Sequence, residues 1–121
     1  MDTLEVRVTT SRQKAKGSQF ERDVVAVLRA HGHRHAERAM HFPDRGDIDG
    51  LPGFCLEAKD HARLALAEWM DEARSEAPEG VVPVVVAKRR GKAAARAYVV
   101  MELAAFADLV ADLTAPDVDA P

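Results

Sequence analysis

Four side chains in the stretch GDIDGLPGFCLEAK are of types that could do chemistry together: Asp47, Asp49, Glu57 and Lys59. They stand where a core sheet would favour Val and Ile. Alternate side chains of an extended strand share a face. In FCLEAK, Phe54, Leu56 and Ala58 therefore point one way and Glu57 and Lys59 the other. The same rule sets Asp47 and Asp49 opposite Ile48. If the two strands pair as a hairpin-like unit, Asp47, Glu57 and Lys59 converge on one face. Grouped carboxylates repel one another, and a half-buried cluster loses stability unless a cation or proton compensates. Mg²⁺ suits such a place, because it takes one or two carboxylates and keeps several waters. It acidifies a coordinated water and offsets charge building on a phosphate. A neighbouring lysine can hold or deprotonate that water, or steady the phosphate. These residues read as a hydrolytic centre. The plainer alternatives are a Glu57–Lys59 surface ion pair, worth about 0–1 kcal/mol, and turn acids at Asp47 and Asp49.

The elements that must position this cluster are readable from periodicity. SQFERDVVAVLRA, from Ser18 to about Ala30, has Phe20, Val24, Val27 and Leu28 at helical spacing, and the helix should stop at Gly32. Ser18 and Glu21, three apart, read as a capping box at its start. RHAERAMHF, GDIDG and GFCLEAK read as three strands, with Pro43, Gly50, Pro52 and Gly53 in the turns. Residues 63–77 form a second amphipathic helix ended by Pro78 and Gly80. VVPVVVAK is a strand buried on both faces, with Pro83 placed at its start or near an edge. A basic turn, the strand AYVVME and the closing helix LAAFADLVADL complete an α/β sandwich. LEVRVTT, near the N-terminus, alternates like an extra strand and leads into a basic arm, SRQKAKG. The tail TAPDVDAP holds too little apolar surface to pack.

With 121 residues, 47% of them hydrophobic and 31% charged, the chain should be one soluble globular domain. No apolar run approaches the roughly 20 residues of a membrane span, and the N-terminus lacks a signal-peptide layout, so a cytoplasmic protein is expected. The lone Cys55 forms no internal disulfide and suits a reducing compartment as a small buried filler. His31, His33, His35 and His41 with Cys55 match no zinc-finger spacing. Trp69 reads as a core residue. The net charge of −3 argues against a nucleic-acid partner, but it hides a segregation. Arg12, Lys14, Lys16, Arg22, Arg29, Arg34, Arg38 and Arg45 dominate the first third, and Lys88, Arg89, Arg90, Lys92 and Arg96 form an acid-free run. Acid collects in Glu68, Asp71, Glu72, Glu76 and Glu79, and after Glu102, where no basic residue follows. Such polarity suits one face turned to an anion.

Gly46-Asp47 followed by Glu57-Ala58-Lys59, with Pro43-Asp44 just upstream, resembles the PD-(D/E)XK nuclease superfamily. More closely, KGSQFERDVVAVLRAHGHRHAER through GDIDG and FCLEAK is similar to the archaeal-type Holliday junction resolvases, which also occur in phages. The resemblance runs from about Lys16 to Val100. It implies a restriction-endonuclease-like core, a mixed β-sheet of about five strands flanked by α-helices. It divides the chain into an N-terminal arm or extra strand (1–15), a nuclease domain (16–112) and a flexible acidic tail (113–121). The implied activity is Mg²⁺-dependent hydrolysis of phosphodiester bonds at four-way DNA junctions, with Mn²⁺ able to substitute. In that pattern Asp47 and Glu57 hold the metal with the Ala58 carbonyl, Lys59 orients the attacking water, and Glu21 completes the shell. Asp49 replaces or helps Asp47 if the register differs, and Asp44 is the literal Pro-Asp match that fits the family less well.

By position, Lys88, Arg89, Arg90 and Lys92 match a segment that contacts DNA backbone in the family, and Arg12, Lys14 and Lys16 match its flexible arm. Contacts to phosphate position DNA without reading sequence, and they weaken steeply with salt. A junction with two-fold symmetry calls for a homodimer. Its surface could be the second helix (Leu64, Leu66, Trp69), the last helix (Phe106, Leu109) or exchange of LEVRVTT. The alternatives are a nuclease of the same superfamily acting on other branched or duplex DNA, and a non-catalytic DNA-binding module. A viral source would place the protein in the host cytoplasm.

Overall fold

The computed structural model describes residues 3–39 and 47–115, with side chains from Lys14 onward in the first stretch. The elements run α1 (Thr3–Ala30), β1 (Glu37–Arg38), β2 (Ile48–Asp49), β3 (Phe54–Lys59), α2 (Leu66–Glu76), β4 (Val82–Ala87), a 3₁₀ turn (Ala94–Arg96), β5 (Tyr98–Val100) and α3 (Leu103–Thr114). The five strands form one mixed sheet in the order β1-β2-β3-β4-β5. β3 and β4 are parallel, as a crossover through α2 allows, and every other pair is antiparallel. The expected α/β class and order of elements are those observed.

The N-terminal expectation is corrected. Residues 3–15, read as an extra strand or a basic arm, form the first turns of α1, which runs unbroken for 28 residues. No proline precedes Pro43, and Gly17, inside the helix, costs only about 1 kcal/mol relative to Ala. The strand preference of Val and Thr needs a neighbouring strand to be realised, and the described sheet offers none to this segment. Ser18 and Glu21 consequently sit in mid-helix and form no capping box. At the other end the helix stops where expected. Gly32 adopts φ +96°, its N–H donates to the Arg29 carbonyl and the His33 N–H to that of Leu28, closing a Schellman cap. Arg29 donates to the Ala36 carbonyl at 2.9 Å and so ties the helix to the approach to β1.

The sheet separates two cores. On one face Phe20, Val24 and Val25 of α1 pack with Ala36, Ile48, Leu56, Val84 and Val86. On the other Trp69 and Ala73 of α2 pack with Val85 and Ala87. β4 is therefore apolar on both sides, as its unbroken Val run requires. Full burial of Phe20 and Val85 contributes about 1.5–3 kcal/mol each. Pro83 lies where β4 pairs with Cys55 on one side, while β5 covers only Val85–Ala87 on the other, so its missing N–H breaks no ladder bond to β5. Cys55 is buried in β3. No helix among the described residues is long and apolar enough to cross a membrane. The expected tail begins at residue 113, but α3 continues through Thr114; residues 116–121 lie outside the described residues.

Candidate active site

β2 and β3 pair antiparallel with Ile48 opposite Leu56, and both side chains enter the α1 core. That register sends the neighbours the other way, towards α2. Gly50 closes the turn between the strands at φ +97°, with its Cα against the His35 carbonyl where a Cβ would collide. The Asp47 N–H donates to the Leu56 carbonyl at 2.7 Å, and the Asp47 Oδ2 accepts the Ala58 N–H at 2.7 Å. Asp47 is thus bound to β3 from both its backbone and its side chain, within electrostatic reach of Glu57. Phe54, Leu56 and Ala58 face the α1 core. Glu57 and Lys59 face α2, as strand alternation requires.

Glu57 is only 3% exposed. Burial, a hydrogen-bonding approach by the Glu76 carboxyl, and the charges of Asp47 and Glu76 push its carboxyl up to about 10, against a smaller downward pull from Lys59. Lys59 Nζ donates to Glu72 Oε2 at 3.0 Å. The carboxylates of Glu57, Glu72 and Glu76 each offer an oxygen within 4.8 Å of the others, the one such group of metal-ligating type among the described residues. The sequence reading missed Glu72 and Glu76, counting them only among the acids that collect between Glu68 and Glu79. A signal was present: 69, 72, 73 and 76 recur at helical spacing, and Trp69 and Ala73 are buried. Two glutamates therefore lie along the stripe that α2 turns to the sheet.

The other expected site residues are placed as follows. The Glu21 carboxylate accepts from Arg38 Nε at 2.9 Å, and Arg38 also donates to Ser18 Oγ at 3.1 Å, so Glu21 ties α1 to β1 and is not one of the three converging carboxylates. Asp49 is half-buried in β2, paired with Glu37 across the β1 ladder. Asp44, Arg45 and His41 lie outside the described residues, as does the side chain of Arg12. Lys14 is exposed on α1.

Sequence-distant basic residues do come together. Lys16 of α1 and Lys88 and Arg90 beyond β4 line a cavity of about 100 Å³ with Asp60, His61 and Gly91. The Lys88 N–H donates to the Lys59 carbonyl at 2.9 Å, while the Lys88 ammonium lies 6.0 Å from the centre of the Phe20 ring, on the α1 side of the sheet. Lys88 Nζ also lies 3.7 Å from Asp60 Oδ2. Arg89 turns instead over the Tyr98 ring at 4.8 Å, a cation–π contact, and Lys92 is exposed in the turn that follows.

The arrangement sets a buried acid, a second acid oriented by a backbone N–H and an ammonium group side by side on one sheet face. No protein-family model matches the chain, and no curated protein or solved structure is significantly similar to it.

Proposed function

We propose that this protein is a divalent-cation-dependent endonuclease that resolves four-way DNA junctions. The observation that carries the reading is Glu57, a carboxyl sunk in a central strand with Oε1 lacking any hydrogen-bond partner among the described residues. A buried orphan oxygen is costly in a fold that serves packing alone. A divalent cation fits it, because oxygen ligands of this type suit Mg²⁺ or Mn²⁺. Asp47 and Glu57 would hold the cation, with the Ala58 carbonyl as a further ligand. When bound, it acidifies a water and neutralises phosphate charge.

The chain's own residues supply the rest. The Asp47 carboxylate is oriented by the Ala58 N–H. Lys59, with its side chain 14% exposed and anchored to Glu72, is placed to orient a water or a phosphate oxygen at the same face. Lys16, Lys88 and Arg90, which line one cavity, would give the DNA backbone a cationic contact.

Paired cuts in a two-fold junction call for a homodimer, and α3 is its surface. Leu103, Phe106, Val110 and Leu113 are all exposed, at the three-four spacing of a coiled-coil seam, and no α3 residue is buried in its own domain. The acids Asp108 and Asp112 stand off that seam, whose flanks within the helix, Ala107, Leu109 and Thr114, are uncharged, and Glu102, which precedes Leu103, is paired with Arg74 at 2.9 Å. A second copy of α3 therefore meets no like charge, and a basic partner helix would find no flanking acid to pair with.

The deciding assay compares cleavage of a four-way junction, a fork and a linear duplex in Mg²⁺ and in Mn²⁺. The junction should be cut fastest, and Asp47→Asn or Lys59→Ala should abolish cutting while junction binding persists. Equal rates on all three substrates would remove the dedicated resolvase in favour of a broader nuclease. Tight binding with no cleavage in either metal would make the chain a non-catalytic DNA-binding module.

A further inference from the structure

Glu57 is approached by more than the residues the nuclease pattern supplies. From α2, Glu72 and Glu76 bring carboxylate oxygens to within 4.8 Å of it and of each other. Clusters of acids are common without an ion, and Glu72 is exposed. Two further observations set this one apart. Glu57 is only 3% exposed, and its Oε1 has no hydrogen-bond partner among the described residues; Glu76 Oε2, also closed off from solvent, has none among them either. These two carboxylates, which approach each other within hydrogen-bonding reach, each keep one desolvated oxygen without a partner among the described residues.

The backbone gives them little means to part. Glu57 is held by β3, paired on one side with β2 and on the other with β4. Glu76 is in the last turn of α2, whose Trp69 and Ala73 are locked in the core against Val85 and Ala87. Lys59 Nζ, whose charge acts on Glu57, is committed to Glu72 Oε2 at the rim. The pair is therefore rigid, acidic and open to a hard cation on the Glu72 side.

We infer that Glu76, with Glu72 at the rim, joins Glu57 as a ligand of a divalent-cation site on the α2 face of the sheet. This rests on the reading of Glu57 as part of a cation centre, and it adds helix ligands absent from the Asp-Glu-X-Lys pattern. Glu76 occupies the role that the pattern gives to Glu21, whose carboxylate here belongs to Arg38. α2 thus serves both as the crossover that makes β3 and β4 parallel and as a wall of the metal centre.

The test measures Mn²⁺ binding to the full chain without DNA, by calorimetry and by counting free Mn²⁺ with electron paramagnetic resonance. Glu76→Gln keeps the shape of the side chain and should weaken Mn²⁺ at least about tenfold, with Glu72→Gln weakening it less. Glu68→Gln, on the exposed face of the same helix, should leave the affinity unchanged, which separates ligation from loss of net charge. Circular dichroism checks folding. Should Glu76→Gln fold poorly, Glu76→Ser, which removes the carboxylate without filling its place, must show the same weakening. Parental affinity in the folded Glu76 variant, with affinity lost in Asp47→Asn, overturns the inference and leaves the nuclease reading standing. Mn²⁺ binding that depends on Glu76 in a protein that cuts no DNA supports the site and overturns the nuclease reading.

Discussion

Replacing Glu57 by Gln tests the charge logic of the site through stability alone. The folded chain holds the Glu57 carboxyl near 10, chiefly by burial, against 4.5 for the free group. At neutral pH the folded protein therefore keeps a proton that the unfolded chain has released. A state that binds more protons is disfavoured as pH rises. The metal-free protein should thus lose stability from pH 4.5 upward, a loss that continues until the folded carboxyl itself ionises near 10. The slope is at most about 1.4 kcal/mol per pH unit, which gives an upper figure of about 4 kcal/mol at pH ~7.5. An amide in place of the carboxyl has no such proton to retain, so the variant escapes this loss. In a chelating buffer Glu57→Gln should be more stable than the parent by about 2–4 kcal/mol near pH 7.5 and by less than about 1 kcal/mol near pH 5. The buried Trp69, the single tryptophan, reports urea unfolding at a fixed protein concentration, and the midpoint and slope give the free energy. Added Mn²⁺ should then stabilise the parent and leave the variant unchanged. A gap between the two proteins that stays constant with pH, or widens towards acid, would refute the burial argument.

Two further outcomes follow from the packing. Gly50→Ala forces a side chain onto a backbone at φ +97° and into the His35 carbonyl, so thermal unfolding should report a loss of about 2–3 kcal/mol. A parental melting temperature would show that this turn does not fix the β2–β3 register. Phe106→Asp puts a charge in the exposed stripe of α3, and sedimentation velocity should show a dimer becoming a monomer with its helix content intact. A parent that already sediments as a monomer at about 100 µM would remove α3 as a self-association surface.

Much of the site could be read from the chain because strand alternation is a local rule. Leu56 and Ala58 on one face, Glu57 and Lys59 on the other, follow from the pleat once FCLEAK is recognised as a strand. Ile48 opposite Leu56 follows from the same rule and a short Gly-containing turn. The missed carboxylates belong to a different kind of information. Whether Glu76 faces water or Glu57 depends on which stripe of α2 meets the sheet. Trp69 and Ala73 fix that stripe by packing on Val85 and Ala87, residues far along the chain. The first fifteen residues failed for the reverse reason. Val-Arg-Val-Thr-Thr alternates like a strand, but alternation has a consequence only where another strand is free to pair with it.

The sequence by itself determined the α/β order, the helix stop at Gly32 and the two-faced character of β3. Each of these depends on neighbours within a few residues, where backbone geometry leaves little choice. The tertiary structure decided which distant groups meet them: Glu72 and Glu76 on the carboxylate face, Arg38 on Glu21, and Lys16 beside Lys88 and Arg90. Those meetings depend on how helices seat on the sheet, and the free energy that seats them comes from burying Phe20, Trp69 and the Val run of β4, not from the charged residues that the seating brings together.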